Sequence, residues 1–151
     1  YATTVGANVG GVVLGVRAVV PAMRAAGGGA IVATASVAGL VPFAGNPIYS
    51  ATKHAVASFV AASAPGLAGD AITIDAVCPG IVDTPMTEGA AGGLDLAALG
   101  IDLIDPAEVV AAALDLATSE GTGRCVVVRA GQPPRLWELP TFADLMAPSG
   151  G

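Results

Sequence analysis

A-I-V-A-T-A-S, residues 30–36, is a short apolar run entered from three consecutive glycines and ended by a serine. A run of this length, rich in alanine and β-branched residues and apolar at successive positions, predicts a strand covered on both faces. Two further runs read the same way: A-I-T-I-D-A-V-C (71–78) and C-V-V-V (125–128). Longer segments of helical character separate them. N-V-G-G-V-V-L-G-V-R-A-V-V-P-A-M-R-A-A (8–26) is apolar almost all round, so it should lie between the sheet and something else. The stretch 49–64 is similar, with Lys53 and His54 its only ionisable side chains after Tyr49. D-P-A-E-V-V-A-A-A-L-D-L-A (105–117) has a defined start, with Asp105 as N-cap, Pro106 at the first helical position and Glu108 completing a capping box. Helix, strand, helix, strand, helix, strand predicts parallel crossovers and an open, doubly wound α/β sheet.

Composition limits what such a sheet could serve. The 151 residues are 54% hydrophobic, enough for one domain over 1–151 with a real core. Six basic residues against twelve acidic ones give a net charge of −6, and no basic stripe offers itself to nucleic acid or an anionic membrane. A small molecule is the expected partner. Cys78 and Cys125 are far apart and His54 is the single histidine, which argues against a disulfide framework or a zinc site. Buried, reduced thiols and a cytoplasmic location are expected. Glycine, proline or charge interrupts each apolar run before the ~20 residues of a membrane span. The chain begins at Tyr1, not Met, and is expected to be a fragment. Residues 83–100, rich in glycine and small side chains, predict a lid or loop, and 130–140, with Pro133, Pro134 and Trp137, predict an irregular tail.

Ligands of such sheets sit outside the carboxyl ends of the strands. Ser36 ends the first strand and P-G-I-V-D-T-P (79–85) follows the second. The segment with Tyr49 and Lys53 starts just after the first strand's exit loop, so its first turn should face the same edge. Tyrosine four residues before lysine on a helix places both on one face. An ammonium near a phenol favours the phenolate: at ~4 Å and an effective dielectric near ~20 the attraction is roughly 4 kcal/mol. That would suit the phenol to general acid/base work, with Ser36 holding a substrate oxygen. An isolated Y-x-x-x-K is a weak signal; its context decides.

In that context the chain resembles the short-chain dehydrogenases/reductases from about Asn8 to Ala130. I-V-A-T-A-S-V-A-G-L-V-P-F-A-G-N-P-I-Y-S-A-T-K-H-A-V (31–56) is similar to that family's strand, catalytic serine and Tyr/Lys segment. N-V-G-G-V-V-L-G-V-R-A-V-V-P-A-M resembles the helix bearing its active-site asparagine, and A-V-C-P-G-I-V-D-T-P-M (76–86) the segment closing over the nicotinamide. The resemblance implies a Rossmann-like sheet, here a C-terminal portion of about three strands, and an NAD- or NADP-dependent enzyme interconverting a secondary alcohol and a ketone. It implies Tyr49 as acid/base, Lys53 beside it and on the nicotinamide ribose, Ser36 on the substrate oxygen and Asn8 in a proton relay. It places Pro79, Gly80, Ile81 and Thr84 around the nicotinamide. Within the family the 36–56 region and the tail are similar to the 15-hydroxyprostaglandin dehydrogenase type, by which analogy Asn46 would contact substrate. Residues 83–104 would form the substrate lid, 130–151 an irregular tail, and a homodimer or homotetramer would form through helices near 8–26 and 49–64.

Two departures matter. The family's glycine-rich phosphate loop has only V-G-A-N-V-G-G (5–11) as an imitation, with no room for a strand before it, so the N-terminal cofactor-binding portion is expected to be absent. Pro65 and Gly66 are expected to end the Tyr49 helix early. A non-catalytic relative used for ligand binding or assembly is the alternative, and a phenol coupled to an ammonium argues against it. Arg17, Arg24, Arg124, Arg129 and Arg135 read as a solvated scatter.

Overall fold

The computed structural model describes residues 1–90, 96 and 100–147. Residues 91–95 and 97–99 of the expected lid, and 148–151 of the expected tail, lie outside the described residues. The chain opens with α1 (Ala2–Val5), a π-helical turn (Gly6–Gly10) and α2 (Gly11–Ala26), which run on as one helical stretch. Gly27, left-handed with φ 86°, ends it: its N–H bonds Arg24 and the Gly28 N–H reaches back to the Met23 carbonyl at 2.9 Å. These bonds satisfy carbonyls that the last turn leaves open, in a conformation that glycine adopts without strain.

β1 (Gly29–Thr34), α3 (Pro47–Ala68), β2 (Ile72–Pro79), α5 (Pro106–Thr118) and β3 (Cys125–Arg129) then alternate as the apolar runs predict, with a short α4 (Pro85–Ala90) before α5. β1 pairs parallel with β2, and β2 with β3, in the register Ala33↔Ala76 and Ala76↔Cys125. Alternate side chains feed two cores. Ile72, Ile74, Ala76 and Cys78 pack under α3 and α2, while Val77 and Val128 pack under Ala112 and Leu116 of α5. The capping box of α5 is formed as read, with Asp105 accepting from Ala107 N at 2.8 Å and Glu108 returning to Asp105 N.

Three expectations need correction. Residues 132–137, read as irregular tail, form β4 (Gln132–Trp137), antiparallel to β3 and the outermost strand of the order β1-β2-β3-β4, followed by a short α6 (Phe142–Met146). Pro133 and Pro134 fit there because β4 is an edge strand and the two fall in the register shift opposite Val127 to Arg129, so the ladder needs neither missing donor. α3 does not stop before Pro65 but runs through it to Ala68, with Ala64 and Leu67 buried on either side. Burying a leucine, at about 1.5–3 kcal/mol, offsets the roughly 3 kcal/mol that an interior proline costs. Arg124 is no solvated bystander. It donates through Nη2 to Asp75 at 2.9 Å, and Asp75, in mid-β2, is 1% exposed. Its remaining donors reach Ser119 and the Leu116 and Glu120 carbonyls at the end of α5.

The stretch Ala2–Ala26 is long and apolar enough, by length and composition, to cross a membrane, although glycine, proline and two arginines break its sequence into shorter runs. One side of it nevertheless packs on the domain: Val20 is buried, and Val12, Val16 and Met23 lie against the core.

Candidate active site

The first turn of α3 is fixed from outside the helix. Asn46 caps it, its side-chain oxygen accepting from Tyr49 N at 3.0 Å, and Pro47 follows with the backbone angle that a first helical residue needs. Tyr49 is thereby held in the opening turn, and Lys53 lies one turn on with Nζ 5.7 Å from the centre of the phenol ring. The same Nζ donates to the Thr34 carbonyl, the last residue of β1, at 2.8 Å. This bond ties the helix face to the carboxyl edge of the sheet. Burial pushes the Lys53 ammonium below the usual lysine range, and the Cys78 side chain acts in the opposite sense.

Ser36 follows directly on that edge and is nearly buried. Its hydroxyl oxygen accepts from Ala38 N at 3.2 Å, capping a short 3-10 turn (Val37–Gly39), and its O–H donates toward the Pro79 carbonyl at 3.4 Å. Ser36 and the start of the 79–85 segment are therefore neighbours. The 3-10 turn lies hard on α3: a Cβ on Gly39 would stand 2.4 Å from the Lys53 carbonyl oxygen, so only glycine fits. Ser50 fastens the same loop by donating to the Ala38 carbonyl at 2.7 Å and accepting from Phe43 N at 3.2 Å.

Asn8 lies in the π turn, where one extra residue per turn alters the direction of its side chain. Its Nδ2 donates to Thr52 Oγ1 at 3.0 Å, and Thr52 in turn donates to the Tyr49 carbonyl at 2.8 Å. Asn8 thus joins the Tyr49 turn through one intermediary. A cleft of about 410 Å³ runs between α2 and β1, lined by Asn8, Thr34 and Lys53 among apolar side chains. Just past the end of β2, Gly80 N donates to the Val128 carbonyl at 3.0 Å and the Ile81 carbonyl accepts from Ile104 N at 2.9 Å. Thr84 keeps its hydroxyl local, 3.5 Å from the Val82 carbonyl and 3.4 Å from Thr87 Oγ1.

The structure therefore gathers Ser36 with Pro79, Tyr49 with Lys53, and Asn8 with the Tyr49 turn, along the carboxyl edge of β1 and β2. The Asn46 oxygen is engaged in the helix cap. His54 Nδ1 lies 2.9 Å from the Ser50 carbonyl, a bond within α3. Thr52 and Gly39 escaped the sequence reading, since each acts through a contact between different elements, whereas Ser50 was expected to be satisfied by backbone and is. The glycine three places after Ser36 was the one signal on offer.

Comparison with known proteins follows the same line. A family model described as short chain dehydrogenase matches residues 1–93. The chain is 48% identical over 81 residues to 2-(R)-hydroxypropyl-CoM dehydrogenase of Xanthobacter autotrophicus, covering 54% of this chain and 32% of that protein. It is 43% identical over 63 residues to 15-hydroxyprostaglandin dehydrogenase [NAD(+)] of Mus musculus, covering 40% of this chain and 23% of that protein. Among solved structures, ElxO with NADP bound superposes with a TM-score of 0.67 at 26% identity, over 77% of this chain and 51% of that one. The chain spans about half, or less, of the length of these relatives.

Proposed function

This chain belongs to the short-chain dehydrogenase family, and on that premise we propose that it carries the proton-transfer site of an NAD(P)-dependent oxidoreductase that interconverts a secondary alcohol and a ketone. The observation that carries the reading is the Tyr49–Lys53 pair, with its ammonium anchored on the Thr34 carbonyl at 2.8 Å. A lysine kept half-buried against its own desolvation is costly to hold and serves no ion pair among the described residues.

Each side chain has a task in this proposal. In the oxidative direction the alcohol O–H passes its proton to the Tyr49 oxygen, and the positive charge of Lys53 stabilises the phenolate that accepts it. In the reductive direction the Tyr49 phenol returns the proton to the carbonyl oxygen as the alcohol forms. Ser36 turns its hydroxyl from the long, 3.4 Å bond to Pro79 onto the substrate oxygen and fixes its position. Asn8 holds the Tyr49 turn through Thr52 and stands where a water could pass the proton on. Asn46 faces substrate with the amide nitrogen that its helix cap does not use. Bound NAD(P) would supply the hydride acceptor for the alcohol carbon, or the hydride donor for the ketone.

The residues present fit the nicotinamide end of such a cofactor. Lys53 has donors beyond the one given to Thr34, and Gly80 has no side chain, so Pro79, Gly80 and Ile81 can approach a flat ring closely. Thr84 would turn its hydroxyl from Val82 and Thr87 onto the carboxamide or pyrophosphate. Residues 5–11 are helical and π-helical and offer no phosphate loop, so the ADP end requires other residues. In the same reading, 83–104 governs substrate choice, Cys78 and Cys125 keep buried, reduced thiols in a cytoplasmic protein, and exposed apolar side chains such as Leu14 on α2 meet a second copy.

Incubation of the intact protein, with the residues that hold the ADP end present, with NAD+ or NADP+ and a panel of secondary alcohols, followed by nicotinamide fluorescence, tests this reading. Turnover of at least one alcohol with one cofactor is expected. Cofactor binding without turnover of any alcohol, or of any ketone in reverse, would contradict it.

A further inference from the structure

A second cavity lies away from the α2–β1 cleft, and its chemistry differs. It encloses about 190 Å³ and is lined by Val37, Leu40 and Val41 on one side and by Val127, Arg129, Arg135 and Trp137 on the other. Val37 to Val41 form the loop that leaves Ser36. The opposite wall is one face of the β3–β4 hairpin, where the register Cys125↔Trp137 and Val127↔Arg135 brings Trp137, Arg135 and Val127 to the same side. The register shifts between Val127 and Arg129, and Arg129 also lines the slot. Arg135 lies over the Trp137 ring, 5.6 Å from its centre, a contact that favours keeping the guanidinium beside the slot.

Charge makes this arrangement pointed. The chain holds only six basic residues at a net charge of −6, and two of the six line one small apolar slot. Arg24 and Arg124 have carboxylate partners, whereas among the described residues Arg129 and Arg135 have none. A guanidinium offers parallel donors that match a carboxylate or phosphate edge. The apolar wall opposite selects between ligands: it gains nothing from a bare inorganic anion, and the volume is too small for a nucleotide.

We propose that this slot binds a carboxylate borne on a short aliphatic stem, the two guanidiniums holding the carboxylate while Val37, Leu40, Val41 and the Trp137 ring receive the stem. The site stands on the hairpin and the Val37–Val41 loop, not on Tyr49 or Lys53, and its binding needs no nicotinamide cofactor. Because Val37 adjoins Ser36, a molecule seated here lies one residue from the proposed reaction centre.

Calorimetric titration of the protein with hexanoate, hexan-1-ol and inorganic phosphate, in the absence of any cofactor, tests it, with Trp137 fluorescence reporting the place of binding. Hexanoate is expected to bind and to perturb Trp137, and the other two to bind at least about tenfold more weakly, the scale of a charge-assisted hydrogen bond. Arg129→Gln and Arg135→Gln should each weaken hexanoate about tenfold, and Val41→Phe, which fills the slot while keeping both guanidiniums, should do the same. Hexan-1-ol matching hexanoate would overturn the role of the arginines. Phosphate matching hexanoate would overturn the role of the stem, and unchanged affinity in both arginine variants would overturn the site. None of these results depends on whether the protein transfers hydride.

Discussion

Lys53 stands under two opposed demands. Its ammonium is half-buried, which burial disfavours, yet it is kept beside the Tyr49 ring and bonded to Thr34. A lysine whose folded-state pKa is lowered binds protons less readily folded than unfolded, so its burial penalty is present at neutral pH. The penalty fades as pH rises from the lowered folded value toward 10.5, the ordinary one. Lys53→Met should therefore leave urea stability at neutral pH unchanged or raised, with any gain shrinking at alkaline pH, while turnover falls about 100-fold or more. A loss of stability matching the loss of turnover would make Lys53 a structural residue. Tyr49 and Lys53 were legible as a pair because a tyrosine four residues before a lysine lies on one helix face, and Ser36 because it ends a strand, whereas Asn8 was named only through the family resemblance. Thr52, which links Asn8 to the Tyr49 turn, was not legible, since a threonine inside a helix gives no sign of a partner 44 positions away.

Strands and helices show where local rules yield to packing. The capping box at Asp105 was readable because all its parts lie within four residues. Pro65 misled because the burial of Ala64 and Leu67, which carries the helix past it, is a tertiary effect. Pro65→Ala should restore a backbone bond and raise stability by about 1–3 kcal/mol in urea unfolding. Equal stability would mean that the helix end frays there. β4 was hidden for a similar reason: its two prolines disqualify an interior strand but not an edge one with a register shift opposite them. Asp75 in mid-strand was the visible hint of a buried charge, but its partner Arg124 lies 49 positions on. Removing that partner by Arg124→Ala should cost about 3–5 kcal/mol, because the carboxylate is left buried and unpaired. Replacing both, as Asp75→Val with Arg124→Met, should recover most of it.

Across the whole molecule, three parallel strands with α3 and α2 on one face and α5 on the other bring the ends of β1 and β2 to a common edge. This much followed from the alternation of apolar runs, and it places Ser36, Tyr49 and Lys53 near one another before any side chain is considered. Surfaces were less legible, since an all-round apolar helix does not announce which side remains uncovered. Leu14 is 62% exposed on α2. If that face meets a second copy, Leu14→Glu should lower the mass measured by light scattering toward that of a monomer, and an unchanged mass would remove α2 from the interface.

A proton moving through Tyr49 is the central step, and Tyr49→Phe isolates it because the substitution removes one oxygen and little volume. Single-turnover hydride transfer should be compared in the two proteins at saturating cofactor, with cofactor affinity measured in parallel. Affinity is expected to be kept within a few-fold and the transfer rate to fall by about 100-fold or more. Transfer at an undiminished rate in Tyr49→Phe would contradict that step.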